Sequence, residues 1–301
     1  MRAPVQSCVH RSRVRRVSLA ALLLAAGGCE VRVAGERTER IERRFAVSAV
    51  PSVRLSTFDG SIDVRSWDRA EALVEVETRA MGEADLRDVS VRAEQRGGRI
   101  EVECRRAEGR ALAIGFGPGP SARIVATLPR AVRLYASTGD GAVSAAGLEG
   151  RIELRTGDGS VRAQDVAGEL VLRTGDGSVR VEDAEGTLRV VTGDGAVAAT
   201  GRFTGVAIES GDGSVTLRAA PGSRASRDWR IVTGGGGIVV YLPEDLDAAV
   251  EAETGDGRVR TELAAAEAGA VFGRRLSLTL GRGGRLITLR TGDGSIALRR
   301  W

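Results

Sequence analysis

A Thr-Gly-Asp-Gly tetrapeptide returns every 18 residues through the middle of the chain, and few folds accommodate a repeat that regular. The copies begin at Thr138, Thr156, Thr174 and Thr192, and a Ser210-Gly211-Asp212-Gly213 version completes the run. Degenerate copies follow at Thr233, Thr254 and Thr291, and an outlier, Thr57-Phe58-Asp59-Gly60, lies far upstream. Apolar residues alternate on both sides of each turn. One unit has Ile152, Leu154 and Thr156 before it and Val161 and Ala163 after it. The next has Leu170, Leu172, Thr174, Val179 and Val181 in the same places. Period-two alternation sets these side chains on one face of a strand and Arg, Glu and Ser on the other. A single strand-turn-strand unit cannot bury that face alone, so neighbouring units must stack.

Stacking at this period puts Ile152 between Leu134 and Leu170, with identical positions about 4.8 Å apart. The expected fold is all-β: a single-stranded parallel β-helix, a β-solenoid, taken here as right-handed. Eight turns from Thr138 onward would make a rod roughly 35–40 Å long. The glycines are expected to supply turn angles closed to other residues. The aspartates are expected to bond nearby backbone N–H groups in Asx-turns. The inward Thr or Ser before each turn is expected to stack its hydroxyl along the ladder.

Four regions follow along the chain. Residues 1–28 read as a lipoprotein-type signal peptide: five Arg and no acidic residue precede a short apolar run, Val17 to Ala26. That run is too short for a permanent membrane span. Ala26-Gly27-Gly28-Cys29 has the form of a lipobox, departing from it with Ala26 where Leu is usual. Cys29 is the expected lipidation site and mature N-terminus. Glu30 after it is not the Asp of inner-membrane retention, which favours the outer membrane or cell surface. Residues 29–44, with Arg and Glu interleaved, read as a charged tether, its last few residues equally readable as a frayed first strand. Residues 45–133 read as an irregular β-rich cap with looser first turns. Residues 134–301 read as the repeat helix. Within it, Glu262 to Gly269 has a helical composition. Leu276, Leu278 and Leu280 with Ile287 and Leu289 read as an antiparallel hairpin, and Trp301 as a plug over the end.

Composition narrows the chemistry. All 44 basic residues are Arg, and without the leader 39 of them face 40 acidic residues, a net charge of −1. No basic nucleic-acid footprint remains. His10, the only His, lies in the leader, so the mature chain has no Ser-His or Cys-His catalysis and no His-ligated metal. Cys104 alternates with Val102 and Ile100 and reads as inert core.

The candidate site is the row of turn carboxylates: Asp140, Asp158, Asp176, Asp194, Asp212, Asp256 and Asp293. They are read as structural turn residues. The alternatives are a Ca²⁺-binding ridge of hard oxygen ligands or the carboxylates of a β-helical carbohydrate-active enzyme. The spacing does not match the nonapeptide Ca²⁺ β-roll. Uniform surroundings also give no distinct acid and base. Like charges about 4.8 Å apart repel by about 1 kcal/mol in water, so Arg155, Arg162, Arg173 and Arg180 beside the turns are expected to offset them.

The lipobox-type leader, the irregular β-rich first part, Leu128-Pro129 before a strand, and the tandem T-G-D-G-[SA]-V units with a late Gly-rich hairpin resemble a bacterial family. It is the domain of unknown function called "putative adhesin", over about Phe45 to Trp301. The resemblance implies a β-helical surface protein and brings no catalytic residues. The expectation is a non-enzymatic, lipid-anchored envelope protein with an adhesin-like or scaffolding role. It would need no cofactor or metal. Its partners would be the membrane, through the lipid, and an envelope protein or polysaccharide.

Overall fold

The computed structural model describes residues 36–47, 50–81, 86–107, 119–263 and 273–301. Its 21 strands join in one hydrogen-bonded sheet system. Each coil has a strand leading into a turn and a strand leaving it, and both kinds stack in columns. Leading strands pair in parallel at the predicted register, Ile152 opposite Leu134 and Leu170, and Leu172 between Leu154 and Val190. Leaving strands do likewise, Val161 between Val143 and Val179. The inward residues are sealed: Leu154 and Leu172 are completely buried, with Ile152 and Val161 nearly so. This is a β-solenoid whose core is a narrow stack of Val, Leu, Ile and Ala.

Stack order departs from chain order at both ends. The upstream strand Ser52–Ser56 pairs directly with Ala131–Ser137, and Ile62–Trp67 pairs with Val143–Ala146. The Thr57 turn is therefore the first rung of the same ladder. The strands Arg99–Arg106 and Ser121–Pro129, later in the chain, lie outside it. At the other end the last coil is inserted. Leu286–Thr291 pairs in parallel with both Trp229–Thr233 and Ala248–Thr254, and Ile296–Arg300 lies between Ile238–Leu242 and Val259–Thr261. The turns stack in the order Thr57, Thr138, Thr156, Thr174, Thr192, Ser210, Thr233, Thr291, Thr254.

Two expectations at this end are overturned. Arg275–Leu280 pairs antiparallel with Ala248–Thr254, which separates it from Leu286–Thr291, so no hairpin forms. The reason lies in the Thr291 turn, whose Thr, Gly and apolar neighbours need a matching coil on each side. An antiparallel partner offers none. Trp301 is no plug: it is half exposed, and its N–H donates to the carbonyl of Leu242 beside an inner coil.

The N-terminal end is covered by antiparallel strands, as an open solenoid edge requires. Arg37–Ala46 pairs with Glu71–Ala80, which pairs with Ser121–Pro129. Half of the span read as tether is thus strand, from Arg37 on. Its partner carries Glu71, Glu75 and Glu77 in alternation with buried residues, and Arg40 pairs with Glu75 and Arg44 with Glu71. Only Phe45 of this strand is buried, and an edge so charged discourages pairing with other chains. Residues 1–35, with Cys29 and the leader, and most of 262–269 fall outside the described residues.

Candidate functional site: the turn ridge

Every turn begins with a buried hydroxyl. Thr138, Thr156, Thr174, Thr192, Ser210, Thr233, Thr254 and Thr291 point inward at the corner where the core ends. A buried hydroxyl must be satisfied. It finds its partners in backbone rather than in the next hydroxyl. Thr174 Oγ1 donates to the carbonyls of Gly157 and Gly159 one coil below, at 3.2 and 2.8 Å. It also accepts from Gly177 N–H of its own turn at 3.2 Å. Thr156, Thr192, Thr233 and Ser210 bond the coil below in the same way. Thr138 bonds Gly60, Thr291 bonds Gly236 and Thr254 bonds Gly294, which carries the ladder through the out-of-order coils.

The glycines are needed for closeness rather than for special angles. Among the T-G-D-G-type turns only Gly60 has positive φ; the others with positive φ lie at other corners, such as Gly150, Gly168 and Gly186. Successive turns are instead nearly in contact. A Cβ at Gly157, Gly175, Gly193 or Gly211 would sit 2.6–2.8 Å from the glycine carbonyl below. Each of these glycines also donates its N–H to that same oxygen.

The aspartates stand outside this work. Asp140, Asp158, Asp176, Asp194, Asp212, Asp256 and Asp293 are all exposed, in one line. Against the Asx-turn expectation, no ridge aspartate bonds an amide of its own turn among the described residues; the amides after Asp158 and Asp176, Gly159 N–H and Gly177 N–H, are held by the Thr hydroxyl instead. The one carboxylate–amide bond on the ridge among the described residues runs between coils, from Asp212 N–H to Asp194 Oδ1 at 3.4 Å. The carboxylates lean towards the next coil, so a Cβ at Gly175 would meet Asp158 Oδ1 at 3.0 Å. Nor do the flanking arginines neutralise the ridge: Arg155 pairs with Glu153 and Arg180 with Glu182. The ridge ion pair that does form is Asp256–Arg274, at 3.2 Å. Stack order adds Asp59 at one end, a member the irregular spacing hid, and Gly235 interrupts the line between Asp212 and Asp293. No group of three or more potential metal-ligating side chains occurs among the described residues.

Cys104 and Asp63 are among the groups that depart from ordinary titration. Cys104 is buried, and burial pushes its thiol up to about 12, which suits inert core. Burial also works against ionisation of Asp63, but the Ser144 hydroxyl and Arg123 guanidinium, each at 2.7 Å, outweigh it and hold the carboxyl below its ordinary value. Sequence reading missed the outward aromatics. Tyr135 is stacked by Arg54 and Arg155, and Tyr241 by Arg218 and Arg299, with centroid distances of 3.8–5.8 Å. These partners come from neighbouring coils far apart in sequence. None of the described helical residues forms a helix long and apolar enough to cross a membrane.

Among solved structures the chain is similar to a "putative adhesin" from Parabacteroides merdae, with 12% identity over 86% of this chain and 96% of that one and a TM-score of 0.43. It is also similar to a "putative lipid binding protein" from Parabacteroides distasonis, with 14% identity, 86% and 96% coverage and a TM-score of 0.39. A third is a "putative cell adhesion protein" from Clostridium sporogenes, with 14% identity, 87% and 100% coverage and a TM-score of 0.31. No match was found among curated proteins. Residues 51–299, which take in the ladder but not the capping strand Arg37–Ala46, match the Toastrack DUF4097 family, and the chain belongs to that family.

Proposed function

We propose that this chain is a non-enzymatic cell-envelope protein, lipid-anchored through Cys29, whose rod serves as an adhesin-like binding or scaffolding surface. The rod is read as a right-handed coil of one chain. The observation that carries the functional reading is the sameness of the rungs. Nine turns share one ladder, and the ridge carboxylates are alike in their exposure. Acid-base catalysis needs two groups whose environments push them apart, and a row of equal carboxylates lacks that difference. A stiff ladder of backbone hydrogen bonds instead suits presentation of a fixed surface, since little flexibility is lost on binding.

The test uses the mature chain on intact envelopes and on a panel of envelope and plant polysaccharides. Capture of an envelope component without turnover is expected. Cleavage of any polysaccharide that vanishes in Asp158→Asn/Asp176→Asn/Asp194→Asn would overturn the non-enzymatic reading. For anchoring, Cys29→Ala is expected to release the protein from membranes or to block processing. A variant that fractionates and migrates like the natural chain would sink the lipoprotein assignment.

A further inference from the structure

Beyond the ridge, the strongest chemical anomaly lies at the C-terminal end of the leaving-strand face. Val259 is completely buried, so its neighbours Arg258 and Arg260 both face outward, their Cα atoms about 7 Å apart. Gly273 bridges back to Val259, its carbonyl accepting Val259 N–H at 3.0 Å, and this lays Arg274 alongside. Arg274 is held in place by Asp256, at 3.2 Å. Arg258, Arg260 and Arg274 line a cleft of about 550 Å³, with Asp256 the one acidic residue among them. Around this end Arg275, Arg282, Arg290, Arg299 and Arg300 each have an acidic partner. Arg258 and Arg260 are in no ion pair among the described residues. Two unpaired guanidiniums and a fixed third make a local excess of positive charge on a mature chain of net charge −1.

The surface leading to the cleft is the other half of the observation. Strand register sets Ala198, Thr216, Val239 and Ala297 in one outward row that runs directly into Arg260. That uncharged row spans about 15 Å at strand spacing. It is flanked by Arg180 at its far end and by the stacked Tyr241 in the next row. Guanidinium groups bind carboxylate and phosphate oxygens in bidentate geometry, and a flat row of methyl and hydroxyl groups suits the faces of sugar rings.

We propose that this face binds an acidic glycan, an acid group seated among Arg258, Arg260 and Arg274 and neighbouring sugars lying along Ala297, Val239, Thr216 and Ala198. The assignment rests on the binding role above and names its ligand class. The ridge then acts as a fence: Asp293, exposed beside the cleft and in no ion pair among the described residues, repels the polyanion and keeps it on the face, while Asp256 holds Arg274.

The experiment measures binding of the mature chain to polygalacturonate, to neutral dextran of matched length and to inorganic phosphate. Polygalacturonate is expected to bind, more weakly as salt rises, and dextran not to bind. Arg258→Gln/Arg260→Gln is expected to weaken binding at least about tenfold. Arg189→Gln/Arg230→Gln, the same charge change on the leading-strand face, is expected to leave it unchanged. Thermal melts report whether both variants fold. Unchanged binding in the first variant, equal loss in both, or no binding of polygalacturonate would overturn the site. Phosphate competing at similar concentrations would overturn the glycan assignment, because a bare oxyanion pocket makes no use of the row. Capture from envelopes separates the two levels. If the first variant still captures its component, this site falls while the binding role stands; if the natural chain captures nothing, the role itself falls.

Discussion

Thr156 Oγ1 donates to the carbonyl oxygen of Gly141 at 2.8 Å, tying each coil to the one beneath it through a buried side chain. The same hydroxyl accepts from Gly159 N–H at 3.2 Å, so one oxygen closes its own turn and fixes its height on the stack. The ladder is held by these hydroxyls and by glycine-to-glycine backbone bonds, and the aspartates ride on top.

Thr174→Val keeps the volume and removes the hydroxyl. It leaves the Gly159 carbonyl and the Gly177 amide without this partner, while the Gly157 carbonyl keeps Gly175 N–H, and stability should fall by about 1–3 kcal/mol. Thr174→Ser should cost less, since Ser210 fills the same position on its own coil. Thermal or urea melts of the two variants check this, and equal loss would place the cause in packing rather than in the hydroxyl.

The inserted last coil makes a prediction about cooperativity. Among the described residues, the strands Ala248–Thr254 and Val259–Thr261 pair with the rod through Leu286–Thr291 and Ile296–Arg300 alone. Truncation before Leu286 should therefore release Ala248–Thr254, Val259–Thr261 and Arg275–Leu280, while coils from Ser52 to Thr233 keep their protection. Hydrogen exchange reads this segment by segment. Retained protection at Ala248–Thr254 would mean that this coil docks on its own.

Because the ridge carboxylates bond no amide of their own turns, Asp158→Asn/Asp176→Asn/Asp194→Asn should not destabilise the rod. It should raise the melting temperature slightly, more at low salt than at high, by removing like-charge repulsion. Millimolar Ca²⁺ should shift the natural chain little. A rise of many degrees with Ca²⁺, abolished in the triple variant, would make the ridge a metal site.

Asp63 predicts a pH effect with a definite sign. Its carboxyl is held below the ordinary value of 3.8, so its contribution is present above that pH and is lost as pH falls through the lower folded value. With much of the group open to solvent, the effect should stay under about 1 kcal/mol. Asp63→Asn should lower stability at pH 7 and converge with the natural chain in acid. A constant difference at all pH values would assign the loss to the altered hydrogen bonds instead.

The residues themselves determined the coil. Ile152, Leu170 and Leu188 sit 18 apart on alternating strands, and no register other than one on top of the next buries all three. The inward Thr followed from the same alternation; the exposed Asp did not, because the turn breaks the period of two between Thr156 and Val161. What tertiary structure alone decided is where chain order and stack order part company. Thr57 and Thr291 carry the same turn as their neighbours, and local chemistry cannot say which equivalent coil a turn will sit beside. That choice is made by which arrangement leaves no parallel edge without a partner. Arg37–Ala46 was hidden for a related reason: alternating Arg and Glu look alike in a solvated tether and in an edge strand, and only the facing Glu71–Ala80 tells them apart. The Arg258, Arg260 and Arg274 cleft was invisible too. It exists because the chain turns back at Gly273 to cover the last leaving strand, a contact between segments whose separation in sequence carries no periodic mark.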